Sequence, residues 1–266
     1  MKFKFTDYHV HTAKWSSDIP KNGSNFEDYI KLAEINEINV CFLEHFELYS
    51  IETDKSNPFY NGCINNYLEE IDEIQETYDF IFGGLEVEYY HDREIELLEF
   101  MDDYEKELDF ISGTVHEWIL GYPVTSREKL LLFLEKKPMK NIIDEYFRTC
   151  KLMIESKIFK NICHLDVIFR YINENDIKPE EDCNVSEDRV IELGLLCVKN
   201  KIGIEYNLSG EKFPIGRPFP SKNVVVSLSK EGGKFFVGSD SHSKDYFEGK
   251  IDKVKRAQLF LNLIKT

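Results

Sequence analysis

Residues 7–12 read DYHVHT: Asp7, Tyr8, His9, Val10, His11, Thr12. The chain has seven histidines, and two of them stand one residue apart directly behind an aromatic stub containing Phe3 and Phe5. In a strand, side chains at i and i+2 share a face, so this spacing aims both imidazoles at one point; on a helix they would diverge. The stub alternates apolar and polar residues, which predicts a strand over 3–11 that ends on the two histidines. Taken alone, a His-x-His pair fits a packed core as well as a metal site, so the rest of the chain has to decide.

Working outward, segments rich in Val, Ile and Phe alternate with amphipathic, charge-laced ones. The pattern predicts strands at 3–11, 39–45, 80–89, 108–116, 161–166, 202–207 and 235–242. It predicts helices at 25–36, 63–76, 94–107, 126–156, 186–200, 221–230 and 251–264, the first with a capping box from Ser24 and Glu27. Seven β-then-α units with short connections point to an α/β fold with parallel strands, either a barrel or an open doubly wound sheet. No Gly/Ser/Pro-rich linker and no internal repeat interrupts them, so residues 1–266 are expected to form a single domain. Two longer irregular stretches, 14–24 and 50–62, follow the first two strands; in β/α barrels such loops build the site.

Composition narrows the function classes. A chain of 266 residues with 42% hydrophobic and 14% aromatic content can bury a substantial core. No apolar run approaches the roughly 18 residues a membrane span needs, and no signal-peptide core precedes Asp7, so a soluble, cytoplasmic protein is expected. The six cysteines, Cys41, Cys63, Cys150, Cys163, Cys183 and Cys197, lack C-x-x-C spacing and read as reduced thiols. Cys163 is expected to face away from its neighbour His164. A formal charge of −16 argues against nucleic acid and anionic membrane as partners, because both are polyanions. An anionic small molecule would need strong local positive charge, which metal ions supply. Oligomeric state is not legible.

Six of the seven histidines fall at the C-terminal end of a predicted strand: His9 and His11, His45, His116, His164 and His242. Glu86 and Asp240 stand at the same level. In a β/α barrel these ends converge on one mouth, which would gather groups spread along the whole chain. Each is unremarkable singly, but a desolvated cluster of acids and imidazoles is costly without cations to hold. Imidazole with carboxylate suits Zn, Mn or Fe, and no cysteine pattern suggests a thiolate site. There are more ligands here than one ion takes, which points to two or three divalent ions with a bridging carboxylate, an arrangement that activates water for phosphoester hydrolysis. His91 lies beyond its strand and reads as a surface or pocket-rim residue.

The motifs DYHVHT, LEH, GLEVEY, SGTVH, CHLD and GSDSH occur in an order and spacing that resembles the PHP (polymerase and histidinol phosphatase) phosphoesterases, over nearly the whole chain. The stretches HLDVIFRY, EYNLSG and RPFPS are similar to the monofunctional histidinol-phosphate phosphatase branch. The resemblance implies a distorted (β/α)7, TIM-like barrel with a trinuclear site at the C-terminal mouth of the strands. One ion would be held by His9, His11, Glu86 and Asp240, a second by the bridging Glu86 with His116 and His164, and a third by Asp18, His45 and His242. A hydroxide bridging the metals, held by Glu86 and Asp240, would attack phosphorus in line, with no phosphoenzyme. Arg170 and Arg217 would bind phosphate, and the sequence does not name the proton donor for the leaving group. Glu117 offers a carboxylate for an amino or imidazolium group, while Trp118 reads as a packing residue. The implied reaction is hydrolysis of L-histidinol phosphate to L-histidinol and inorganic phosphate, a step of histidine biosynthesis. Left open are another small phosphomonoester or nucleotide as substrate, and a non-catalytic metal-binding module. A β/α amidohydrolase also opens with His-x-His, but depends on a bridging lysine where this chain has Glu86.

Overall fold

Strand β1 (Phe5–Val10) pairs in parallel with β2 (Ile38–Phe46), and the chain then adds β3 (Ile81–Glu88), β4 (Phe110–Thr114), β5 (Asn161–Ile162), β6 (Gly203–Asn207) and β7 (Phe235–Gly238) in sequence order. All six ladders are parallel. These coordinates are a computed structural model that describes residues 2–172 and 187–265; Cys183 and the expected helix start at residue 186 lie outside the described residues.

Parallel strands in consecutive order must curl, because each needs a crossover that packs helices on one face only. The curl closes. Val10 bridges Ser241 in parallel, His11 N–H donates to Ser241 O at 2.9 Å, and Asp240 N–H donates to His9 O at 2.8 Å. The expected seven-stranded β/α barrel is therefore observed. Its distortion has two visible sources: β5 is only two residues long, and the β1–β2 register shifts between Asp7 and Val10.

The alternation along β2 shows how the barrel is filled. Val40 and Phe42 face the helical shell, while Cys41 and Leu43 face inward with Cys163, packed against Tyr8, Phe82 and Phe110. Phe110 and Tyr8 also meet Phe236 edge-on, with ring centroids 5.0 and 5.9 Å apart. This aromatic plug closes the barrel beneath the histidines. The helical shell consists of α1 (Phe26–Ile35), α2 (Leu48–Thr53), α3 (Ile64–Gln75), α4 (Glu94–Tyr104), α5 (Arg127–Leu134), α6 (Met139–Ser156), α7 (Glu187–Asn200), α8 (Lys222–Lys230) and α9 (Lys244–Ile264). Each large apolar side chain it buries, Phe42, Phe59 and Phe247 among them, contributes about 1.5–3 kcal/mol.

Several expected boundaries move. The long helix over 126–156 is two, because Pro138 has no N–H to continue the first and instead precedes the second. The capping box is shifted by one residue, to Asn25 and Asp28, whose carboxylate accepts from Asn25 N–H at 3.1 Å. Ser24 is freed for a longer reach and accepts from Lys244 N–H at 2.9 Å. The last helix begins seven residues earlier than its apolar period, at Lys244 rather than Ile251, because Ser243 caps it there. The stretch 50–62, expected to be irregular, contains most of α2. Among the described residues no helix is long and apolar enough to cross a membrane.

Candidate metal centre

Glu86, near the end of β3, is the hub. Its carboxylate lies 3.2 Å from His9 Nε2, 3.3 Å from His45 Nδ1, 3.4 Å from His116 Nε2 and 2.8 Å from His164 Nε2. His9 and His11, whose shared face was expected to aim them at one point, have Nε2 atoms 2.9 Å apart. Asp240 Oδ1 stands 3.5 Å from both His11 Nε2 and His242 Nδ1. Asp18, on the loop after β1, reaches His242 Nε2 at 3.0 Å and His45 Nε2 at 3.9 Å. All nine residues expected as ligands thus meet at the C-terminal mouth. His11 stands between two of the expected groups: it lies against Asp240 and stacks on His45, rings 4.3 Å apart and 8° from parallel.

Donor atoms of His9, Glu86 and His164 lie within 4.8 Å of one another, as do those of His9, His11 and Asp240, and those of His11, His45 and His242. Not every close contact is a hydrogen bond: His9 Nε2 meets Glu86 Oε2 and His11 Nε2 in bonding geometry, but the other Glu86 oxygen does not find a partner. Glu86 Oε1, although 2.8 Å from His164 Nε2, has no hydrogen-bond partner in a bonding direction and is fully buried. A buried convergence of imidazole nitrogens and carboxylate oxygens of this kind is the donor set that divalent cations of the Zn, Fe or Mn type take. Electrostatics agree. Burial alone would raise the Glu86 carboxyl, yet the imidazoles of His116, His9 and His164 hold it well below the usual carboxylate range. Asp240 behaves likewise, burial being overcome by His9, His11 and His242. Asp240 also sits at φ 55°, a left-handed conformation that Asp tolerates and that backbone strain usually reserves for functional positions.

A second tier of carboxylates escaped the sequence reading. Glu205 on β6 accepts from His9 Nδ1 at 2.7 Å and from His164 N–H at 2.9 Å. Glu88 on β3 accepts from the N–H groups of His116 and Glu117, and its carboxylate lies 3.2 Å from His116 Nδ1. Glu44 on β2 accepts from Thr12 N–H and from the hydroxyls of Thr12 and Ser16. Each occupies one strand and steadies the histidine segment of another. Glu205 holds Nδ1–H of His9 and leaves its Nε2 facing Glu86, while Glu88 fixes the backbone of His116, whose Nε2 also faces Glu86. Cys163 departs from expectation as well: β5 has ended, alternation no longer applies, and its Sγ turns inward to 3.7 Å from His9 Nδ1.

Beside the cluster opens a pocket of 370 Å³ whose lining includes Glu47, Glu117, Arg170, Lys212 and Phe213 together with His45, Glu86, His116, His164, Asp240 and His242. A larger concavity of 1070 Å³ between α1 and α3 contains none of the clustered histidines. Arg170 reaches the pocket, its guanidinium 4.2 Å from the Phe213 ring centroid. Arg217 does not line it, being 2.8 Å from Asp166. His91 is exposed, beside Tyr89 and Glu94 and away from the cluster, and Trp118 packs edge-on against Phe133. Cys41, Cys63, Cys150, Cys163 and Cys197 are free thiols.

No family model and no curated protein matches the sequence. Solved structures do. One is a protein assigned as the histidinol phosphatase HisK of Listeria monocytogenes, 19% identical, with a TM-score of 0.76 over 91% of this chain and 96% of that one. Another is the histidinol phosphate phosphatase HisK of Lactococcus lactis subsp. lactis, solved with zinc, L-histidinol and phosphate; it is 21% identical, with a TM-score of 0.74 over 98% of this chain and 94% of that one. Nearly end to end, this chain therefore has the fold of those phosphatase structures, a TIM-like barrel of seven parallel strands.

Proposed function

We propose that the protein is a metal-dependent phosphomonoesterase that hydrolyses L-histidinol phosphate to L-histidinol and inorganic phosphate. The observation that carries this reading is the convergence of six imidazoles on buried Glu86 and Asp240 and on Asp18 at a pocket lined by a cation. The Lactococcus neighbour, with zinc, histidinol and phosphate bound, supports it.

Two or three divalent ions would be held as follows: His9, His11, Glu86 and Asp240 around one, Glu86, His116 and His164 around a second, Asp18, His45 and His242 around a third. Bound there, such ions supply charge that stabilises the phosphoryl oxygens and bring water to a nucleophilic state at neutral pH. The chain's own residues do the rest. Arg170 offers its guanidinium to phosphate oxygens. Glu47 and Glu117, which also line the pocket, offer carboxyl groups to the cationic amine or imidazolium of the substrate. Burial of Glu86 and His9 excludes bulk solvent from the floor, which strengthens each of these interactions.

The test is a panel of phosphate esters assayed with the metal-loaded protein. L-Histidinol phosphate is expected to give the highest kcat/KM, by at least about tenfold over sugar phosphates and nucleotides, a margin equivalent to one charge-assisted contact. A better nucleotide or sugar phosphate would reassign the substrate, and turnover of none would leave a metal-binding module without catalysis.

A further inference from the structure

Arg217 is already engaged. Its Nη2 lies 2.8 Å from Asp166 Oδ2 and its Nη1 donates to Pro218 O at 2.8 Å. Asp166 is fully buried, so releasing this pair to a substrate would strand a carboxylate in the protein interior. The loop is held from the other side too: a Cβ on Gly210 would sit 2.1 Å from Arg217 O, so the two backbones touch. Arg217 braces the loop between β6 and α8.

The other cation at the pocket is Lys212. It ends the short turn after β6 and precedes Phe213, and it lines the pocket together with Arg170, Asp240 and His242. Its Nζ lies 5.2 Å from the Phe213 ring centroid and 4.5 Å from that of Tyr246. Phe213 thus carries two cations, the guanidinium of Arg170 and the ammonium of Lys212. Among the described residues neither is within ion-pair distance of a carboxylate, and Arg170 Nε is buried without a hydrogen-bond partner. On a chain of net charge −16, two neighbouring cations that line the same pocket without a carboxylate partner among the described residues form a local site suited to an anion. The turn is rigid: Glu211 Oε2 accepts from Lys250 at 2.9 Å and from Lys253 at 2.6 Å, and Lys250 also donates to Leu208 O at 2.8 Å. Lys212 is therefore presented from a braced position rather than from a free loop.

We propose that Lys212 and Arg170, joined across the Phe213 ring, are the two cationic groups that grip the phosphate, and that Arg217 is a structural brace. This rests on the phosphatase reading. The experiment is calorimetric titration of inorganic phosphate into the metal-loaded protein, paired with steady-state kinetics and metal analysis. Lys212→Met is expected to weaken phosphate binding and raise KM by about 10- to 100-fold, the range for one charge-assisted hydrogen bond, with metal content unchanged. Lys212→Arg should restore most of the affinity. Arg217→Gln should lower Tm while leaving phosphate affinity within about threefold of wild type, a change below one such bond. If the wild type binds phosphate and Lys212→Met binds it equally well, the assignment of Lys212 is overturned alone. If the metal-loaded wild type takes up no phosphate, the phosphatase reading falls and this assignment with it.

Discussion

Glu205 serves two histidines from one carboxylate: Oε1 receives Nδ1–H of His9, and Oε2 receives the backbone N–H of His164. Replacing it with Gln keeps the shape but removes the charge that orients His9. Glu205→Gln is therefore expected to lose about 10- to 100-fold in metal affinity, measured by competition with a chelating dye, while its circular dichroism stays that of wild type. Gly238→Ala attacks the same pair sterically, since a Cβ there would lie 2.0 Å from Glu205 Oε1 and 2.5 Å from His9 Cβ. It should weaken metal binding in the same assay and also lower Tm. His116→Ala should lose metal and turnover together, whereas Arg170→Ala should keep its metal and bind substrate poorly. At this scale the histidines were legible because they are scarce and recur at strand ends. Glu44, Glu88 and Glu205 were not, because they are three among 49 acids and their meaning depends on backbone N–H groups of other strands.

Strands were easier to read than helix ends. Buried parallel strands announce themselves as apolar runs, and all seven stand where the pattern placed them, although β5 and β7 are shorter. Helix ends depend on a few polar atoms that hydrophobic period does not weigh. Ser243, whose Oγ accepts from Tyr246 N–H, starts α9 a full two turns before the apolar stripe begins. Ser243→Ala should lower the stability of the protein by about 1 kcal/mol in urea unfolding, the usual loss for an N-cap serine. For Arg217 the place in a Gly/Pro-rich loop was readable, but Asp166, a buried partner 51 positions earlier, was not.

The whole molecule carries its net charge of −16 partly as carboxylates buried under the mouth. Removing metal ions should therefore destabilise it, and dialysis against a chelator is expected to lower Tm, reversibly on adding back zinc or manganese. The metal-free protein should also respond to pH through Glu44. Burial pushes this carboxyl from 4.5 up to about 8, against the opposing hydrogen bonds from Thr12 and Ser16. A raised folded-state value means the native state holds the proton more tightly, so the contribution is complete below pH 4.5 and is lost as pH rises through 8. Metal-free wild type should accordingly lose stability between these limits, with a slope from this site of at most about 1.4 kcal/mol per pH unit. Glu44→Gln cannot titrate, so the difference in Tm between the two proteins, measured from pH 5 to 9, should shift in favour of the variant as pH rises.

The barrel is sealed by main-chain bonds at the C-terminal ends of its first and seventh strands, and those bonds lie at His9, His11, Asp240 and Ser241, within the cluster of histidines and acids itself. The two sides of that seam stand at opposite ends of the strand order, so it cannot form before all seven strands are in place. Without β7 and the residues that follow it the sheet has an open edge at β1 and the cluster lacks Asp240 and His242, so gathering these side chains and closing the cylinder depend on the same contacts.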